Sequence, residues 1–239
     1  LFSNNGYAQS NTILEATQVT GFAGNFGWEL PGADLAKRFG SNGNVGGSFF
    51  YKTPSNFIFA LDGNFIFGSV IKYDSLFHLI KTPDDYIIDG DGMYADVRTY
   101  ERGFEFYAKA GKIFNIFNDN PNSGLLVMAG AGFMQHKIRI ENPGQTVAQL
   151  KGDYLKGYDK LSNGPSVTEY IGYIHFSDKR LYNFKAGFEF TQAFTQARRN
   201  YDFDLMGCDT QKRIDMRYAL KISWMLPINK RKPAEFYYN

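Results

Sequence analysis

Arg213-Ile214-Asp215-Met216-Arg217-Tyr218-Ala219-Leu220-Lys221-Ile222-Ser223-Trp224-Met225-Leu226 alternates with a period of two. Every even position is apolar, and the odd positions from Arg213 to Ser223 are charged or small. Side chains of a β-strand point alternately to opposite faces, so this pattern is a strand with one greasy and one polar face. The same alternation runs backwards through the chain. Tyr182, Phe184, Ala186, Phe188 and Phe190 oppose Asn183, Lys185, Gly187, Glu189 and Thr191. Phe57, Phe59, Leu61, Phe65 and Phe67 oppose Asp62, Asn64 and Gly68, and Phe22, Phe26, Trp28 and Leu30 oppose Ala23, Asn25, Gly27 and Glu29. Weaker versions at about 43–52, 100–114, 123–140 and 167–176 bring the strands to an even number, eight.

The connections alternate in length. About a dozen residues, Pro31 to Asn42, precede the tight turn Thr53-Pro54-Ser55-Asn56. A long insertion at about 71–99 precedes the turn from Asn118 to Gly124. Another at about 141–166 precedes Ser177-Asp178-Lys179-Arg180, and a medium loop at about 198–212 leads to the last strand. Up-and-down strands place successive connections at opposite ends, so the long loops share one end, as in outer-membrane barrels. The expected fold is all-β, an eight-stranded antiparallel up-and-down transmembrane β-barrel with long extracellular loops and short periplasmic turns. The barrel would occupy residues 17–228. Residues 1–16 read as an N-terminal arm or a signal-peptide remnant, with Gly6-Tyr7-Ala8 as a small-x-small cleavage pattern, and 229–239 as a periplasmic tail.

Composition agrees. The 239 residues carry 26 Lys+Arg against 24 Asp+Glu, which gives no reason to expect nucleic acid, and one Cys excludes a disulfide framework. Aromatic residues make up 17% of the chain, yet its mean hydropathy is -0.35. A barrel averages out this way because every second residue turns from the lipid. A lipocalin-like barrel would carry the apolar face inside around a ligand. Two features favour apolar outside. Gly27, Gly46, Gly103, Gly111, Gly130, Gly132 and Gly187 fall on the polar face, where a narrow bore needs small residues, and Trp28, Tyr51, Tyr182 and Trp224 mark stripe ends, suiting headgroup levels. The bore would then hold Glu29, Asp62, Glu105, Lys109, Glu169, Lys185, Glu189, Asp215, Arg217 and Lys221, paired as buried charges must be, and would be closed to ions.

Other constellations have bland readings. Of His78, His136 and His175, only His136 is placed for a rim site, with Ser162 or Asp159 as conceivable partners, and a loop-anchoring hydrogen bond suits it better. Asp89-Gly90-Asp91-Gly92 has the acid–glycine alternation of a calcium loop, but Tyr94 and Tyr100 stand where an EF-hand needs Gly and Glu, so a tight turn is favoured. Cys208 is an unpaired thiol. A short helical turn is expected at Asp34–Gly40 and an amphipathic helix through Val147, Leu150, Tyr154, Tyr158 and Leu161. The loop residues Leu35, Phe39, Tyr86, Tyr94, Leu150, Tyr154 and Tyr158 form the candidate partner-docking surface, Tyr being favoured at interfaces, with a self-packed lid as the alternative. In the tail, Lys230-Arg231-Lys232-Pro233 offers a cluster for lipid phosphates or a periplasmic partner.

Leu30-Pro31-Gly32-Ala33-Asp34-Leu35-Ala36-Lys37-Arg38-Phe39-Gly40, Gln135-His136-Lys137-Ile138-Arg139-Ile140, Gly152-Asp153-Tyr154-Leu155-Lys156-Gly157-Tyr158-Asp159 and Glu235-Phe236-Tyr237-Tyr238 resemble small outer-membrane barrel proteins of Bacteroidota, over most of the chain. Barrels of that group with elaborate loops are often subunits of larger machines. The resemblance implies an accessory role in barrel assembly (the BAM complex) or type IX secretion. No catalytic residue and no cofactor is assigned. The expectation is a non-catalytic outer-membrane subunit exported by a signal peptide, in contact with lipid and with other outer-membrane or surface proteins. A stand-alone OmpA-like barrel or narrow pore is the alternative, and a rim enzyme acting on lipid or peptide stands behind both.

Overall fold

The alternating stretches form strands in the computed structural model, which describes residues 16–116, 120–177 and 181–228. The tail at 229–239, its basic cluster and nearly all of the 1–16 arm lie outside the described residues. The strands are β1 (Val19–Gly32), β2 (Asn42–Lys52), β3 (Phe57–Gly68), β4 (Arg98–Phe114), β5 (Gly124–Glu141), β6 (Ser162–His175), β7 (Asn183–Ala197) and β8 (Lys212–Pro227). Each pairs antiparallel with its sequence neighbour, and β8 returns to β1 through registers such as Phe22↔Leu226 and Trp28↔Leu220. The ring is closed, so no strand edge is left unpaired. A membrane crossing takes about 9–11 strand residues, which the 17 and 18 residues of β4 and β5 exceed. Their outer ends stand clear of an apolar belt and carry the loops.

Parity assigns the faces. Phe188 is 65% exposed and Ile222 60%, whereas Arg217 is 2% exposed and Glu105 0%. The glycines turn inward because the bore has no room for more. A Cβ at Gly27 would lie 2.6 Å from Asn44 Oδ1, and one at Gly132 would collide with the Phe106 carbonyl oxygen.

Four expectations need correction. Glu169 is exposed on the outer face, in line with Val167 and Ile171, while Ser166, Thr168 and Tyr170 point inward. Its charge marked it as interior, but strand parity decides the face. β6 also extends further outward than the alternation indicated. Ser162-Asn163-Gly164-Pro165-Ser166 reads as loop, yet it pairs with β5 throughout and with β7 except at Gly164 and Pro165, where proline has no N–H to offer. The bore is not ionic along its full depth. Phe50, Ile58, Ile113, Leu126, Met128, Ile174, Phe176 and Met225 pack an apolar floor at the short-turn end. There apolar residues face both ways, and the alternation disappears. Finally, 142–161 forms no amphipathic helix but separate 3-10 turns at Pro143–Gln145, Ala148–Leu150 and Tyr154–Gly157, interrupted by Gly152 at φ +54. The turn after β1 is helical over α1 (Ala33–Ala36).

Candidate functional site

Above the apolar floor, inward charges of β1, β3, β4, β7 and β8 build one continuous ionic chain. Lys109 binds Asp62 at 2.7 Å and also Glu189. Glu189 receives Lys221 at 2.5 Å, which lies 3.3 Å from Glu105. Arg217 bridges Glu105 and Glu29, the latter at 2.7 Å. Amides add donors to the carboxylates: Asn44 donates to Glu29 at 2.5 Å and Asn64 to Glu105 at 3.0 Å, while Asn25 donates to Ser48 at 2.6 Å. Lys185 lies with its Nζ 5.5 Å from the Tyr170 ring. Each charge is thus compensated by an opposite one or a dipole, the condition under which ions persist in a dry interior. The arrangement spans the lumen from β4 to β1 above the floor.

A second polar layer joins the barrel to its loops. Asp215 receives Arg38, the Thr195 hydroxyl at 2.6 Å and His136 Nε2 at 3.0 Å. Arg38 enters from the turn after α1, and the ring of its neighbour Phe39 stands edge-on to His136 at 5.4 Å. Glu101 accepts Asn42 at 2.8 Å. Glu101 and His136 share the parity of the other inward residues on β4 and β5, so alternation could have found them. Arg38 comes from a loop and left no such signal.

The long loops pack on one another above this layer. Leu35, Phe39, Leu76, Phe77, Ile87, Val147, Leu150 and Tyr158 share a core with Ile138 and Ile140 from the top of β5. Polar knots brace it. Arg199 forks onto Asp159, one arm at 2.7 Å, and this hydrogen-bonded partner raises the guanidinium pKa. Lys160 binds Asp202 at 2.5 Å and Asp204 at 3.2 Å. Partial burial pushes the Asp204 carboxyl up, but the Ser75 hydroxyl and Lys160 outweigh it and hold the carboxyl below its ordinary value.

This packing divides the candidate docking residues. Leu35, Phe39, Leu150 and Tyr158 are interior to the lid, because the loops turn their apolar side chains toward each other. Tyr86, Tyr94 and Tyr154 are exposed. The Tyr86 and Tyr94 rings lie against each other at 4.6 Å, tilted by 37°, beside exposed Met93 and Ile88. The conceivable catalytic set does not assemble: His136 binds Asp215, Asp159 is taken by Arg199, and the Ser162 hydroxyl donates to the Lys160 carbonyl. Asp89 spends one carboxylate oxygen accepting the N–H groups of Asp91 and Met93, both at 2.9 Å, as a turn does. Cys208 is exposed.

No protein-family model matches the sequence, and no curated protein matches it. Among solved structures, the chain is similar to Neisserial surface protein A (NspA), at 12% identity and a TM-score of 0.43 over 87% of this chain and 96% of that one. It is also similar to Ail, the attachment invasion locus protein of Yersinia pestis, solved with the heparin analogue sucrose octasulfate, at 8% identity and 0.42 over 88% and 99%. The outer membrane protein OprG from Pseudomonas aeruginosa aligns at 10% identity and 0.39 over 89% and 99%.

Proposed function

We propose that the chain is a non-catalytic integral outer-membrane barrel that serves as an accessory subunit of a multiprotein outer-membrane machine for barrel assembly or secretion. Its lid docks the partner. An apolar, aromatic outer belt around a closed ring supports membrane insertion, since a closed barrel satisfies every backbone group without water. A lumen filled by floor and ionic chain supports a structural role over a conducting one.

The observation that carries docking is the cluster of Tyr86, Tyr94, Met93 and Ile88 on top of the lid. The lid already has a buried core of its own, so these side chains are left over from folding, and exposed aromatic patches are interaction sites. Co-purification after gentle detergent extraction tests it. A discrete partner should accompany the wild-type chain and be lost at least tenfold from Tyr86→Ala/Tyr94→Ala, with the barrel still folded. A clean monomer, or a partner indifferent to both substitutions, would contradict it.

A further inference from the structure

Glu169 stands at the centre of β6, exposed on the lipid side, with no hydrogen bond or ion pair to any described residue. Its outward neighbours along the strand are Val167 and Ile171, and across the ladder it faces Ala129 and Phe190. The other outward charges on the strands, including Arg102, Lys112, Lys137 and Arg139, lie toward strand ends, where side chains reach headgroups. A charge on the lipid face of a barrel is costly in proportion to its depth, and an ionisable group within a membrane is functional by default. Beside Glu169 the surface is shallow. Ala110 pairs with Ala129 and Ala108 with Ala131, all four exposed, in a belt otherwise built largely of Phe and Leu. An open depression of about 830 Å³ runs beside Glu169; Ala110 and Ala129 line it, its walls are mostly apolar, and Glu169 and Glu189 are its charged residues.

We propose that Glu169 and the four alanines form a lateral docking face, inside the bilayer, for a different transmembrane protein that presents a Lys or Arg at the same depth. Charge complementarity selects this occupant. Among the described residues, a second copy of the chain inserted in the same sense offers no outward cation at that depth. Acyl tails offer no donor at all. The alanines let the partner's backbone approach closely, as small residues do between membrane segments, so the ion pair forms shielded from lipid. The face lies on the wall of the barrel, away from the lid patch, and its assignment rests on the membrane placement proposed above.

A photo-crosslinking residue at Ala131 in native outer membranes tests the proposal, with a control at Phe26 on β1, across the ring from β5. Phe26 should yield lipid adducts. Their absence would overturn the membrane placement itself and this face with it. Ala131 should yield one protein adduct, identified by mass spectrometry as a membrane protein with Lys or Arg at mid-depth. Glu169→Leu should reduce that adduct at least tenfold while the barrel keeps its folded, heat-modifiable gel mobility. Glu169→Lys combined with Glu at the partner's cationic position should restore it. Adducts at Ala131 with lipid or a second copy alone, or a protein adduct undiminished by Glu169→Leu, would overturn the proposal even where Phe26 behaves as expected.

Discussion

Arg217 holds two buried carboxylates, Glu29 and Glu105, inside the lumen. Replacing it by Leu leaves Glu29 without a cation and Glu105 with only Lys221 at 3.3 Å. Breaking one partner of a buried pair costs about 3–5 kcal/mol, so urea unfolding in detergent should show Arg217→Leu destabilised by that order. A loss below about 1 kcal/mol, the range of surface pairs, would mean that the chain of ions is hydrated. The inward identity of Arg217, Lys221 and Glu189 was legible from alternation alone. Glu169 was misread because charge was weighed above parity, while Glu101 was missed although parity marked it; His136 was singled out, but for the rim rather than for the interior that its parity indicates. Arg38 was beyond reach, since no period governs a residue that a loop folds down into the bore.

Among the elements, the lid is tied to the barrel by its apolar core on β5 and by the Arg38–Asp215 clip. Arg38→Ala removes the clip between the α1 turn and Asp215, and limited proteolysis should then cut the 71–97 loop at least several-fold faster while the strands stay protected. Equal cutting would show that the apolar core of the lid suffices. Acid acts on the same assembly. Asp204 has a depressed folded pKa, so its contribution is complete above the unfolded value of about 4 and is lost as pH falls through the folded value. Pepsin should therefore nick the 198–211 loop increasingly below about pH 4, and Asp204→Asn should be nicked already at the upper end of the pepsin range. A flat profile in the wild-type chain would contradict this role. The loop lengths were visible in the sequence. Their packing was not, because Val147, Leu150 and Tyr158, at helical spacing, are buried by a run of separate 3-10 turns, which the positive φ of Gly152 favours over one helix.

At the scale of the whole molecule, two filled layers in the lumen predict a barrel that carries no steady current. Planar bilayers containing the purified chain should show no discrete conductance at neutral pH, and open steps that change with Lys221→Met would contradict the closed bore. Topology was the most legible feature, because a period of two repeated along the chain leaves few arrangements other than a ring. The floor was the least legible, because residues such as Ile58, Ile113 and Leu126 sit among apolar neighbours that face lipid.

The central claim, apolar belt outward in lipid, meets its most direct test in the native tryptophans. Trp28 and Trp224 are both about half exposed on the outer face, at opposite ends of the belt. In vesicles of lipids brominated along the acyl chains, fluorescence from both should be strongly quenched relative to unbrominated lipid, and each single-tryptophan variant should show its own share. Unquenched emission, from a chain that stays dispersed in water without detergent, would contradict the account.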